Sequence, residues 1–137
     1  MTMTETAAAF FEACETGKGW EACQAWCHKD ATFACQADAL AETGTIADYC
    51  EWMKGLLTPV PDGRYVVTAF ATDEARGKVV ATAEFHGTQT GSGGPVPPTG
   101  KAVVSDYAYV MTFRDGKIGH MTKIWNDVQA LRGLGWA

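Results

Sequence analysis

The chain has 137 residues, 47% hydrophobic and 20% charged, with a formal net charge of -5 at pH 7. That length and balance suit one globular domain, spanning residues 1-137, with a core of its own, and they exclude a disordered chain. The acidic charge, without any basic run interleaved with aromatics, excludes a surface built for nucleic acid or anionic membrane.

From Thr4 to Thr16, apolar residues at three- and four-residue spacing (Ala7, Phe10, Phe11, Cys14) predict a helix that ends at Gly17 and Gly19. A second short helix follows, with Trp20, Cys23, Trp26 and Cys27 on one stripe, and Ala31 to Cys35 reads as a short strand. Thr45 with Asp48 resembles a capping box, and Ile46, Tyr49, Cys50, Met53, Leu56 and Leu57 then recur with helical period until Pro59 and Pro61 forbid continuation. Beyond Arg64 the period changes to two. Strands are expected at Arg64 to Thr72, Lys78 to Thr88, Lys101 to Arg114 and Lys117 to Asn126, with a Gly/Pro-rich loop from Gly91 to Pro98. Asp115-Gly116 suits the left-handed turn of a tight hairpin, and Val128 to Leu134 can form a last short helix.

The expected fold is α+β: three N-terminal helices on a strongly curved antiparallel sheet, a cone with an internal apolar cavity. Both parities of the Lys101 to Arg114 strand are largely apolar. Three helices can cover only one face of a sheet, so the other is expected to pair with a second copy as a homodimer. Five cysteines, an odd number, form no C-x-x-C pair. Cys23, Cys27 and His28 share a helical face but lack a fourth ligand, so no metal is expected and the thiols read as small buried side chains. No apolar stretch approaches the roughly 20 residues of a membrane span, and Met1 to Glu5 lacks the features of a secretory signal. A cytoplasmic location is the expectation.

Three helices, a bent sheet and a tryptophan near the end of the last strand resemble the nuclear-transport-factor-2-like superfamily. Phe85-His86-Gly87-Thr88-Gln89-Thr90-Gly91 and Pro97-Pro98-Thr99-Gly100-Lys101 resemble the G-T-H-x-G and P-P-T-G-K segments of SnoaL-like polyketide cyclases. Asp115-Gly116-Lys117-Ile118, Trp125-Asn126-Asp127, Leu131 and Leu134-Gly135 continue the pattern over nearly the whole chain. The resemblance implies a cone-shaped fold with an apolar cavity, no cofactor, and in characterised members an intramolecular aldol ring closure. Four positions depart from it. Ile124 stands where those enzymes carry an acid/base aspartate, Tyr109 where they carry a histidine, Phe33 in place of an asparagine, and Gln89 in place of the histidine of G-T-H-x-G. The scaffold is kept without the family's catalytic set.

If the position of Ile124 faces the cavity, as the resemblance implies, alternation brings His120, Thr122 and Asn126 to that face, and Tyr109 brings Ser105, Tyr107 and Met111. His120 is then the candidate general base, with Tyr109 and Tyr107 as hydrogen-bond donors to a ligand carbonyl. The alternatives are a packed histidine and core phenols with internal partners. Phe33, Met53, Ile124, Asn126 and His86 are the expected ligand-binding residues, and Glu84 with His86 forms a second possible acid/base pair. Asp127 reads as a helix cap. The Gly91 to Gly100 loop has no strand-to-helix context for a phosphate cradle and suits a flap over the cavity mouth. Together these expectations describe a protein for a small apolar carbonyl compound, acting by cofactor-independent proton transfer as an isomerase, cyclase or lyase. The alternative is a non-catalytic ligand-binding or dimeric interaction module.

Overall fold

A computed structural model describes all 137 residues. Helix α1 (Met3–Glu15) opens with a complete capping box: the Thr2 hydroxyl accepts from the Glu5 amide at 3.1 Å, and the Glu5 carboxylate accepts from the Thr2 amide at 2.9 Å. Its apolar stripe ends at Gly17 and Gly19, both with left-handed backbone, which reverse the chain into the short α2 (Gly19–Cys23). The expected second helix stops earlier than its stripe. Gln24–Trp26 tightens to a 3-10 turn, and Cys27 already belongs to β1 (Cys27–Cys35). Helix α3 (Ile46–Leu56) carries half of its expected box, the Thr45 hydroxyl accepting from the Asp48 amide at 3.1 Å.

The strands β2 (Arg64–Asp73), β3 (Lys78–Thr88), β4 (Ala102–Arg114) and β5 (Lys117–Trp125) fall where the two-residue period places them, and α4 (Asp127–Leu134) closes the chain. Asp115 (φ 50°) and Gly116 (φ 79°) are both left-handed, as the tight β4–β5 hairpin requires. The strand order is β1-β5-β4-β3-β2, in one open sheet. Its three hairpins are antiparallel, yet β1 lies parallel to β5, pairing Thr32 with His120 and Cys35 with Lys123. The sheet is therefore mixed, a correction to the antiparallel expectation. Hairpins announce themselves through turn residues, whereas a parallel pair joined through most of the chain leaves no local signal.

Two irregularities bend the sheet and reset its faces. An extra residue in β2 breaks the register between Val67 and Ala69, and one in β5 breaks it between the pairs Thr112–His120 and Phe113–Ile118. Each shifts the inward parity by one. The inner face of β4 carries Val103, Ser105, Tyr107, Tyr109 and Met111, as alternation predicts. On β5 the bulge at Gly119 leaves Ile118, Met121 and Lys123 buried. Helices α1 and α3 cover this inner face, packing Phe10, Phe11, Tyr49 and Met53 into one core with it. A smaller core of Val60, Val103 and Leu134 joins α4 to the sheet. No helix is long and apolar enough to cross a membrane.

Candidate active site

Four polar side chains from four elements meet inside the core. Glu15 ends α1, Tyr49 sits on the second turn of α3, Tyr109 is central in β4, and Lys123 lies near the end of β5. All are buried: Tyr49 and Tyr109 completely, Glu15 at 3% exposure and Lys123 at 6%. The Lys123 ammonium donates to the Tyr49 hydroxyl at 3.0 Å. The Tyr49 and Tyr109 hydroxyls are hydrogen bonded to each other, and Tyr109 donates to Glu15 Oε1. The four groups form an unbroken chain from amine to carboxyl.

The rest of the Lys123 environment is aromatic. Its Nζ lies 4.2 Å from the ring centre of Trp125, 5.1 Å from Tyr49, 5.2 Å from Trp52 and 5.3 Å from Tyr107. These ring faces favour the cation, but no carboxylate lies within ion-pair distance. Burial dominates and brings Lys123 down to about 8, against the upward pull of the Glu15 charge. Burial pushes Glu15 up from the usual carboxylate range, opposed by Lys123 and by the phenols. It also raises Tyr49, Tyr107 and Tyr109, with the Glu15 charge adding to each.

Both shifts at the chain ends run toward an uncharged pair. With Lys123 charged and Glu15 ionised, every bond points from amine to carboxylate. Moving three protons one step along the same bonds gives neutral amine, two intact phenols and a carboxylic acid. The chain is thus a proton relay whose two states have the same heavy-atom arrangement.

The relay borders a hollow of about 40 Å³, walled by Glu15, Lys123, Trp52, Met53, Tyr107, Trp125, Ala130, Leu134 and Trp136, among others. Two donors on this wall have no protein acceptor. They are the buried Tyr107 hydroxyl, which feels the Glu15 charge without bonding to it in good geometry, and the Trp136 indole N–H. Buried orphan donors are rare and expect an acceptor. Trp136 also walls a groove of about 300 Å³ with Pro59, Gly93, Gly94 and Pro95 on its other side. Gly93, Gly94 and Pro95 of the Gly91 to Gly100 loop line this groove, and no residue of the loop lines the hollow itself. Buried Gln89 holds the base of that loop, donating to the Gly91 carbonyl at 2.9 Å and accepting from the Thr99 amide. A structural role thus occupies the side chain that replaces the family histidine.

Of the sequence-predicted residues, Tyr107 and Met53 line the hollow, Tyr109 lies directly behind it, and Phe33 stacks on Tyr49 at 4.5 Å. The others lie elsewhere. The β5 bulge turns Ile124 outward, at 61% exposure. His120 follows it to the outer face, with its Nδ1 at 2.7 Å from the Thr32 hydroxyl and its Nε2 at 3.0 Å from Thr122. His120 and Tyr109 are not brought together. Asn126 is exposed and caps α4, its side chain accepting from the Gln129 amide at 3.1 Å. Asp127, expected to cap free amides of the last helix, accepts from the Val128 amide at 3.0 Å, and its other oxygen accepts from the Ala39 amide at 2.9 Å. His86 and Glu84 do pair, at 3.1 Å, but their even parity on β3 puts them on the outer face, opposite the buried Ala81 and Ala83. Cys23 sits with Cys14 and Cys50, their sulfurs all within 4.8 Å of one another, a donor set for a soft ion. His28 takes no part and contacts the Arg114 carbonyl.

The pattern of the SnoaL-like domain matches residues 7–121, most of the chain. The chain belongs to the SnoaL-like domain family. Solved structures agree in fold. A SnoaL-like candidate polyketide cyclase from Jannaschia sp. CCS1 superposes with a TM-score of 0.78 at 19% identity, covering 98% of this chain and 92% of that one. IdmH of Streptomyces antibioticus, also a candidate polyketide cyclase, gives 0.75 at 24% identity, covering 98% and 99%. AclR of Streptomyces galilaeus, a candidate hydroxylase, gives 0.77 at 22% identity, covering 99% and 84%. No curated protein matches the sequence significantly. These likenesses carry the scaffold, and the SnoaL-like frame of this chain surrounds a Glu-Tyr-Tyr-Lys relay.

Proposed function

We propose that this SnoaL-like protein is a small-molecule enzyme that encloses an apolar carbonyl compound and moves a proton at the carbon beside its carbonyl, as in an isomerase, cyclase or lyase. The observation that carries this reading is the relay from Glu15 to Lys123, ending in a hollow with two unpartnered donors. Removing a proton beside a carbonyl needs a group able to accept it and a donor for the developing oxyanion. Neutral Lys123 supplies the first, and roughly one molecule in ten has it at pH 7. Tyr107 and Trp136 supply free donors for the second. The apolar wall excludes water and strengthens both interactions. The candidate polyketide cyclases among the structural neighbours make a carbonyl-bearing ligand a consistent choice. Five free cysteines, four of them buried, suit a reducing compartment such as the cytoplasm.

The test is exchange of the α-hydrogens of cyclohexanone in deuterium oxide, followed by proton NMR. The protein should accelerate exchange, and Lys123→Met and Glu15→Gln should each lower the rate by about 10²-fold or more. No acceleration by the folded protein with a panel of cyclic ketones would overturn the reading.

A second reading, the dimeric interaction module, rests on the outer sheet face. Val66, Val104 and Ile124 are exposed there by 45–61%. We propose that this face joins two copies, whether or not the hollow is catalytic.

A further inference from the structure

We propose that Lys123 is an imine-forming lysine: its Nζ, anchored by the Tyr49 hydroxyl and free of any carboxylate partner, condenses with an aldehyde or ketone carbonyl bound in the hollow. This rests on the reading that the hollow takes a carbonyl compound, and it adds a covalent step.

A lysine kept for stability either reaches water or pairs with an acid. Lys123 does neither. It is 6% exposed and has no carboxylate within ion-pair distance, while one phenol receives one of its protons. Lys123 also lines the hollow where a ligand would sit. The rings of Tyr49, Trp52, Tyr107 and Trp125 surround that nitrogen at 4.2–5.3 Å. A protonated imine keeps its positive charge at the same atom and is planar, so ring faces that hold an ammonium hold the product as well.

The step balances with the groups present. The neutral amine forms a bond to the carbonyl carbon, and the carbonyl electron pair moves to oxygen, which takes up a proton. The C–O bond of the resulting carbinolamine then breaks. Oxygen leaves as water with the two hydrogens that began on nitrogen. The proton that converts imine to iminium comes from Glu15 through Tyr109 and Tyr49. Acidity of the neighbouring C–H bond then rises because the electron pair it releases flows to a cationic nitrogen. Hydrolysis reverses the sequence and frees the amine, so no oxidant or reductant is consumed.

The full chain should be incubated with 2,4-pentanedione, which forms a stable vinylogous amide with a neutral lysine by loss of one water. The adduct is read by its near-ultraviolet absorbance and by peptide mass. One equivalent should add at Lys123, at least about tenfold faster at pH 7 than at exposed Lys54 or Lys101, because more of Lys123 is neutral. Lys123→Met should abolish this adduct, and Tyr49→Phe, which keeps the ring, should slow it. Thermal melts of both variants confirm that they fold. Ketone α-exchange that persists with Lys123 unlabelled would overturn the imine and leave the proton-transfer reading standing. Absence of both exchange and adduct would overturn both.

Discussion

Replacing Lys123 by Met should make the protein more stable at neutral pH, and the gain should shrink as pH rises. Folding carries this lysine from an ordinary value of 10.5 to about 8. At pH 7 it is charged in both states, so the folded protein bears the whole cost of burying the cation. Between 8 and 10.5 the unfolded chain holds a proton that the folded one has released, and wild-type stability gains with pH. For this displacement the penalty is about 3 kcal/mol at pH 7 and about 1 kcal/mol at pH 9.5. The advantage of Lys123→Met over wild type should therefore fall by about 2 kcal/mol between those two conditions. Loss of the hydrogen bond to Tyr49 subtracts about 1 kcal/mol at both, leaving the difference intact. The other buried groups facing Lys123 sharpen the trend or cancel. Without the ammonium, Glu15 holds its proton to higher pH and costs the variant stability as pH rises, which has the same sign. Tyr49, Tyr107, Tyr109 and Cys14 are common to both proteins. Urea unfolding of the two proteins at pH 7 and 9.5 measures the effect. A stability difference independent of pH would mean that Lys123 is solvated like a surface lysine, and the argument for its neutral form would fail.

His120→Ala should leave ketone exchange within about twofold of wild type, since the imidazole bonds to Thr32 and Thr122 on the far side of the sheet; a large loss would mean that His120 takes part in the reaction. Ile124→Lys combined with Val104→Lys should convert a dimer to a monomer by light scattering, because it places charge on two exposed apolar positions of the same face. An undiminished dimer would move the interface elsewhere.

Much of the fold was legible because its signals are local. Thr45 marks a helix start, Asp115-Gly116 marks a hairpin, and the odd residues of β4 face inward as strict alternation requires. The site was half legible for the same reason. Tyr107 and Tyr109 come from an unbroken strand and lie on its inner face, where alternation places them. His120 and Ile124 come from β5, where one extra residue at Gly119 exchanges the faces, and Asn126 lies just past its end as the cap of α4. Counting by twos from Ile118 brings His120 and Ile124 inward, and the bulge hands that place to Met121 and Lys123. Nothing in a single sequence distinguishes a bulge glycine from any other glycine in a strand. Glu15 did leave a trace. It stands four residues after Phe11 and eight after Ala7, a carboxylate on the apolar stripe of its helix, where a solvent-facing acid would not fall.

Size discrimination should depend on Trp136. The hollow beside Lys123 holds about three water molecules by volume, fewer atoms than any ring ketone, so a ligand whose carbonyl reaches Nζ must extend past the indole. The continuation exists, because Trp52, Leu56 and Trp136 wall both the hollow and the larger groove beneath Gly93 and Gly94. Packing keeps the indole in place from above, since a Cβ at Gly94 would stand only 3.0 Å from its ring. Trp136→Ala should merge the two spaces and raise exchange of 1-tetralone relative to cyclohexanone, measured as the ratio of kcat/KM. Trp136→Phe keeps most of the wall and removes only the N–H, and should weaken binding of either ketone by about fivefold, the worth of one hydrogen bond. An unchanged tetralone-to-cyclohexanone ratio in Trp136→Ala would mean that ligands reach Lys123 from another side. The open rim where Cys35, Ala37 and Ile124 flank it is then the next route to block.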